Sequence, residues 1–326
     1  MDYSQLQSKS VLVTGGAGFI GSHLAERLLK EGAKVIVFDD LSTGKLSNLD
    51  LVKGDPNFKF IKGDVCVYDD IRDVFLMNDI DYVFHLAAVV GVKRVQETPL
   101  ICFKDIDGYK NILDLSQIKG VKKIVYSSSS EAYGEPVSLP EKEDGVHNPG
   151  TRDTYALTKL VGENMFLGYN DQRGLPATAL RFFNVYGPRQ ESSAYGFVTG
   201  VFIRQLLDGK SPTVYGDGMM TRDFIYIDDN IEAQIRALLS DKTNGHVINV
   251  GMGRQTTILD LAEKLISISG REDIQPAFVQ SKRTDIKYRC PDITKMKELV
   301  DYIPQVGLDE GLKRTFDWYK EHYTNS

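Results

Sequence analysis

Ser10-Val11-Leu12-Val13-Thr14-Gly15-Gly16-Ala17-Gly18-Phe19-Ile20-Gly21, with the segment from Ser22 to Asp40 that follows it, decides the architecture of this 326-residue chain. Lys9 to Thr14 reads as a buried strand, because Val11, Leu12 and Val13 stand in a row. Ser22 to Lys30 reads as a helix, with Leu24, Ala25, Leu28 and Leu29 on one stripe and Gly32 placed to close its C-terminal end. Lys34 to Phe38 is a second strand and runs into Asp39-Asp40. Gly16, Gly18 and Gly21 satisfy G-x-G-x-x-G, and Asp39 lies 21 residues after Gly18. Small residues in such a turn let backbone N–H groups approach a pyrophosphate, and the N-terminus of the next helix adds partial positive charge. A carboxylate at Asp39 accepts hydrogen bonds from both hydroxyls of an adenosine ribose and repels a 2′-phosphate, so the pattern points to NAD rather than NADP. Lys45 is the nearest basic residue able to offset that repulsion. A glycine triplet alone is a weak signal, but strand, turn, helix, strand and acid in that order are a strong one.

The alternation continues outward from this unit. Phe58 to Ile61 is a strand ending in Gly63-Asp64-Val65, Asp69 to Met77 a helix, and Tyr82 to Leu86 a buried strand running into Ala87-Ala88. Pro99 to Ile118 reads as a longer helix, Lys123 to Tyr126 as a strand, and Ala177 to Phe182 as another. Strands alternating with helices imply an α/β fold, a doubly wound parallel sheet of the Rossmann kind. Ligands of such sheets sit at the carboxyl ends of the strands, here Asp39, Asp64, Ala87 and the run Ser127 to Ser130. Beyond Phe183 the rhythm loosens. Residues 1–183 form the NAD-binding domain, with 224–250 returning to it through a strand at Val247 to Val250. Residues 184–223 and 251–326 form a smaller substrate-binding lobe, with helices at Ile258 to Ile268, Ile293 to Leu299 and Leu308 to Tyr323. Trp318 and Tyr319 on the last helix read as packing.

The chemistry centres on Tyr155 and Lys159, four residues apart on a helix and therefore on one face. A phenol titrates near ~10, and a neighbouring lysine cation favours the phenolate. Such a pair takes a proton from a sugar hydroxyl while a hydride leaves the same carbon. In an extended chain, alternation puts Ser127, Ser129 and Glu131 on one side. A hydroxyl at Ser129 can share the substrate proton, and a carboxylate at Glu131 can remove a carbon-bound proton beside a ketone. A solvated turn glutamate is the equal alternative. Arg222 and Arg283 suit a diphosphate, because a guanidinium grips oxyanions with two donors, and Asp285 suits a ribose hydroxyl. His85, inside an apolar strand, reads as a core histidine.

Composition excludes several classes. The net charge of −6 offers no basic footprint for nucleic acid or an anionic membrane. No apolar run approaches the ~20 residues of a membrane helix, and Met1 to Ser10 lacks the apolar core of a signal peptide. Cys66, Cys102 and Cys290 show neither metal spacing nor a disulfide framework, which makes a reducing cytoplasm the expectation.

With these residues in place the chain resembles the extended short-chain dehydrogenase/reductase superfamily, and within it the NAD-dependent nucleotide-sugar epimerase/dehydratase family. The resemblance rests on Thr14 to Gly21, Asp39-Asp40-Leu41-Ser42-Thr43-Gly44, Gly63-Asp64-Val65, His85-Leu86-Ala87-Ala88, the serine run, Tyr155 and Lys159, Arg181 to Arg189, and Arg222 to Asp229. It implies that Gly15, Gly18, Phe19, Ile20, Gly21, Asp39, Ser42, Thr43, Gly44, Asp64, Val65, Leu86, Ala87, Ala88, Tyr155 and Lys159 contact the cofactor. It further implies that Tyr155, helped by Ser129, deprotonates the hydroxyl on carbon 4 of a hexose to give a 4-keto intermediate. Lys93, Asn184, Val198, Tyr215, Arg222, Arg283, Asp285 and Arg289 are the implied substrate contacts. The implied partners are a UDP-sugar and a second copy of the chain, paired through the helices around 99–118 and 153–170. Asn184 to Arg189 and Tyr195-Gly196-Phe197-Val198 resemble UDP-sugar 4-epimerases, which makes 4-epimerisation of a UDP-hexose the leading expectation. Glu131 departs from that pattern. Ser129-Ser130-Glu131 matches the Ser/Thr-x-Glu of dehydratases and decarboxylases, and Arg289 is similar to an arginine of the uronate decarboxylases. Dehydration or decarboxylation through Glu131 is therefore the second expectation. A silent NAD-binding regulator is the third, and it predicts an eroded Tyr/Lys/Ser set, which is intact here.

Overall fold

The computed structural model describes residues 2–91, 95, 97–150, 153–190, 192, 196–280 and 286–322. The first half of the chain lays down β1 (Ser10–Thr14), β2 (Lys34–Asp39), β3 (Phe58–Lys62), β4 (Tyr82–His85), β5 (Lys123–Ser129) and β6 (Ala177–Phe182). Between them run α1 (Phe19–Lys30), α2 (Tyr68–Met77), α3 (Asp105–Lys119) and α4 (Thr154–Arg173). The chain then forms β7 (Asn184–Tyr186), α5 (Val198–Leu207), β8 (Thr213–Tyr215), β9 (Thr221–Arg222), β10 (Phe224–Tyr226) and α6 (Ile227–Leu239). β11 (Val247–Val250) follows, then β12 (Thr256–Thr257), α7 (Ile258–Ser269), β13 (Ala277–Val279) and α8 (Leu308–His322).

Seven strands make one sheet in the order β11-β6-β5-β4-β1-β2-β3, and every pairing in it is parallel. Both faces are covered, as a parallel sheet requires. Side chains alternate across each strand. Val11, Val13, Val35 and Val37 pack with Leu24 and Leu28 of α1 and Ile231 and Ile235 of α6. Leu12, Ile36, Phe38 and Val83 pack on the opposite face with Ile71 and Phe75 of α2, Ile112 of α3 and Phe166 of α4. Sheet growth reverses direction between β1 and β4, which opens a cleft beyond Thr14 and His85.

Gly32 closes α1 as the sequence predicts, at φ +83, with Ala33 N–H bonding to the Leu28 carbonyl. Val247–Val250 returns beside β6. Three expectations change. The helix expected from Pro99 is a 3-10 segment, Pro99–Lys104, leading into α3 at Asp105. The strand expected to end at Tyr126 runs to Ser129, because the serines keep pairing with β6 up to Phe182. The helix expected over 293–299 is mostly a wide π turn, Met296–Val300, ended by Asp301 in the left-handed region at φ +54.

Candidate active site

The glycine turn joins β1 to α1 at the mouth of the cleft. Gly15 sits at φ +68, and a Cβ there would lie 2.7 Å from the Ala87 nitrogen, so the turn lies directly against Leu86-Ala87. A Cβ on Gly21 would lie 2.4 Å from the Gly15 carbonyl oxygen, which lets α1 begin against the turn, with Gly18 as its N-cap. Asp39 ends β2, 7% exposed, and its two oxygens accept the N–H groups of Ala17 at 3.0 Å and Leu41 at 2.8 Å. Burial raises its carboxyl above the ordinary value, against those hydrogen bonds. Gly44 lies against the same carboxylate, where a Cβ would come within 2.8 Å of Oδ1. Ser42 N–H is bound by Asp40 at 2.8 Å. Asp64 forms a turn by accepting Cys66 N–H at 2.9 Å, and Val65 is buried beside α3. Leu86 N–H bonds to the Thr14 carbonyl, and Ala87 N–H to its hydroxyl. The close-packed glycines, the acid at the end of β2 and the small residues Ala87 and Ala88 together form a backbone-lined cradle of the kind a dinucleotide needs.

Opposite this cradle, α4 presents Tyr155 and Lys159. Asp153 caps the helix by accepting Ala156 N–H at 2.9 Å. The Ser129 hydroxyl stands beside the Tyr155 phenol. Lys159 is 3% exposed and donates to the Ser127 carbonyl at 2.8 Å. Its Nζ lies 5.7 Å from the Tyr155 ring centroid and 5.2 Å from that of Tyr126. Burial lowers the ammonium to about 8, opposed by Asp105 and Glu163. Burial raises the phenol well above its usual value, and the Ser129 hydroxyl opposes that rise. Desolvation opposes the phenolate that the neighbouring lysine cation is expected to favour. Tyr126, Phe166 and His85 stack beneath, with Tyr126 and Phe166 centroids 4.5 Å apart, and Tyr109 meets them edge-on. His85 is the core histidine the sequence predicts. It is bound to the Thr14 hydroxyl at 2.8 Å, and burial lowers it to about 3.

Ser129 and Glu131 come together by a different route from the one alternation predicts. β5 stops at Ser129, a 3-10 turn spans Ser130–Tyr133, and the Ser129 hydroxyl caps it by accepting Glu131 N–H at 3.2 Å. This turn leaves the Glu131 side chain 43% exposed, with a carboxylate oxygen 3.3 Å from Arg289 Nη2. Arg289 is fully buried. Its Nη1 donates to the Ser130 carbonyl at 2.6 Å and to Glu141 at 2.9 Å. Asn184 donates to the Asp223 carbonyl at 3.2 Å, Val198 begins α5, Tyr215 ends β8 half exposed, and Arg222 donates to the carbonyls of Thr221 and Ile286. Lys93, Arg283 and Asp285 lie outside the described residues.

Sequence reading missed three buried carboxylates. Glu163 continues the Tyr155–Lys159 stripe by four residues and grips Arg181 through both oxygens at 2.7 Å. That spacing was a usable signal. Asp105 accepts Val89 N–H with both oxygens, and Glu141 binds Arg289 across 148 positions. Neither leaves a local trace in the sequence. Among the described residues no group of side chains suits a metal ion, and no helix is long and apolar enough to cross a membrane.

A parallel sheet with a dinucleotide cradle, faced by a Tyr/Lys/Ser set whose lysine is buried, defines an α/β enzyme of the nicotinamide-dependent kind. A profile of the NAD-dependent epimerase/dehydratase family matches residues 11–251, and the chain belongs to that family and uses NAD. It is 38% identical to the UDP-N-acetyl-α-D-glucosaminuronate decarboxylase of Bacillus cytotoxicus over 322 residues, covering 96% of this chain and 98% of that one. It is 34% identical to the UDP-glucose 4-epimerase of Mycolicibacterium smegmatis, covering 95% and 98%. The crystal structure of Thermotoga maritima UDP-glucose 4-epimerase with UDP-glucose superposes with a TM-score of 0.90 at 34% identity, covering 97% of this chain and all of that one.

Proposed function

We propose that this enzyme binds a UDP-sugar, oxidises its carbon 4 to a ketone, and then removes a carboxylate from carbon 5. The observation that carries this reading is the Glu131–Arg289 pair at the cleft, a buried cation whose partner toward the site is a half-exposed carboxylate. Asp39 and the glycine turn hold the cofactor's ribose and pyrophosphate. NAD held there would supply a reversible two-electron acceptor for carbon 4 and a positive charge that favours the phenolate. Tyr155 takes the proton of the carbon 4 hydroxyl, and Ser129 shares it. The substrate carboxylate replaces Glu131 at Arg289 Nη2. The ketone then lies β to that carboxylate. The bond from carbon 5 to the carboxyl carbon breaks, carbon dioxide leaves, and the electron pair moves to the carbon 4 oxygen, held by Tyr155 and Ser129. Glu131, open to solvent, delivers a proton to carbon 5. Asn184, Val198, Tyr215, Arg222, Arg283 and Asp285 hold the nucleotide.

A second reading, 4-epimerisation of a UDP-hexose, needs only Tyr155, Ser129 and Lys159, and two of the compared proteins carry that name. Residues 1–183 with 224–250 act as the cofactor domain, and the rest as the substrate lobe. Exposed Leu100, Phe103 and Val161 on the Pro99–Lys104 and α4 surface support pairing of two copies there, and three free thiols suit the cytoplasm. Proton NMR in deuterated water with UDP-hexoses and UDP-uronates is the test. A pentose product carrying deuterium at carbon 5 supports decarboxylation. Inversion at carbon 4 with no deuterium at carbon 5 overturns it in favour of epimerisation.

A further inference from the structure

Arg289 has two carboxylate neighbours of different kinds. Glu141 is 3% exposed and fixed on every side. One of its oxygens accepts from Arg289 Nη1 at 2.9 Å and the other from Cys290 N–H at 3.3 Å. Its backbone N–H bonds to the Cys290 carbonyl at 2.7 Å, its carbonyl accepts Asp292 N–H at 2.8 Å, and it forms a parallel bridge with Pro291. Glu131 faces the cleft and approaches Nη2 at 3.3 Å. The other contact of Nη2 is the Gly134 carbonyl at 3.4 Å. One carboxylate is built in, and the other is positioned to leave.

We propose that Glu141 is a positioning residue for the chemistry at carbon 5. It fixes the Arg289 guanidinium from behind, so that the cation stays seated when Glu131 gives way to the substrate carboxylate. A buried guanidinium follows whichever counter-charge remains, because an uncompensated buried charge is strongly disfavoured. With Glu141 neutral, Glu131 is the only carboxylate left to Arg289 among the described residues. The guanidinium then shifts toward the cleft and holds the substrate carboxylate out of line, where a displacement of about 1 Å costs on the order of a hundredfold in rate. Glu141 touches neither cofactor nor substrate, so oxidation at carbon 4 by Tyr155, Ser129 and Lys159 proceeds as before. The functional part of this assignment rests on the decarboxylation reading. The placement of Arg289 does not.

Glu141→Gln keeps the shape and an acceptor and removes the charge, while Glu141→Leu removes both. The two steps are followed separately in the NAD-loaded enzyme with UDP-glucuronate, by absorbance of reduced nicotinamide and by carbon dioxide release. Glu141→Gln is expected to slow carbon dioxide release about tenfold or more, with carbon 4 oxidation and KM within about twofold, so that 4-keto sugar accumulates. Glu141→Leu is expected to exceed that loss. Crystal structures of the loaded wild type and Glu141→Gln are expected to differ in the guanidinium, which moves toward Glu131. Equal slowing of both steps, or an unmoved Arg289 with unchanged rates, overturns the proposal. If the wild type releases no carbon dioxide from any UDP-uronate, the decarboxylation reading fails, and the two crystal structures alone decide whether Glu141 seats Arg289.

Discussion

The two walls of the cleft are built by opposite means. The cofactor wall is backbone. Its turn, its helix start and the acid at the end of β2 come from residues 15 to 44, and its fit depends on the absence of side chains at Gly15 and Gly21. The far wall is side-chain charge. It collects Glu131, Glu141 and Arg289 from three separate segments and buries two of them completely. A backbone wall tolerates little change in shape and has almost nothing to titrate. A charged wall keeps its shape through ion pairs, so losing one charge redirects the others.

The contrast predicts how each wall fails. On the proposed reading, Tyr155→Phe, between the two walls, removes proton transfer at carbon 4 and is expected to lower turnover by about 10²–10⁴-fold in steady-state assays with any sugar. Full turnover in that variant would remove Tyr155 from the mechanism. Glu163→Ala leaves Arg181 buried without its carboxylate, and chemical denaturation is expected to show a loss of roughly 3–5 kcal/mol. A loss below about 1 kcal/mol would mean that Arg181 finds another partner. Asp39→Ala is expected to weaken NAD binding by about ten- to a hundredfold, the worth of hydrogen bonds to a charged group, and to narrow the preference over NADP in titrations of the apo-enzyme.

The smallest expected effect is in pH dependence. Burial lifts the carboxyls of Glu141 and of Asp223, whose oxygens hold the N–H groups of Met252 and Arg254, to about 7. A carboxyl raised in the folded state binds its proton more tightly there than in the unfolded chain. The folded state therefore gains on the acid side, and that gain is lost as pH rises through the folded values. Melting temperature is expected to decline between about pH 5 and pH 8 on this account, and Glu141→Gln to flatten part of the slope. An unchanged slope in Glu141→Gln would mean that Glu141 is ionised throughout.

The same contrast explains what was legible in the sequence. Strand and helix positions, the cradle and the Tyr155–Lys159 face follow from periodicities of 2 and 3.6 and from glycine spacing, all of which act over a few residues. The lengths of β5 and of the Pro99 helix were misjudged because pairing with β6 keeps Ser127 to Ser129 extended and the chain enters α3 through a 3-10 turn. Glu131 was singled out with a turn and an extended run as equal alternatives, because a serine cap ending a strand leaves the same residues as an extended run, and the structure has the turn. Glu141 was invisible, because nothing near position 141 announces an arginine 148 residues further along.

The aromatic platform beneath Lys159 has a separate consequence. Tyr126, Phe166, Tyr109 and His85 form a floor that carries no charge anywhere near neutrality, because burial holds His85 at about 3 and both tyrosines far above their usual values. The lysine rests on an electrically silent surface, so the charge beneath it stays the same across the neutral range. Acidity outside the molecule therefore reaches the chemistry through the ammonium of Lys159 itself, held at about 8, and through the carboxylate wall, but not through the floor beneath the lysine.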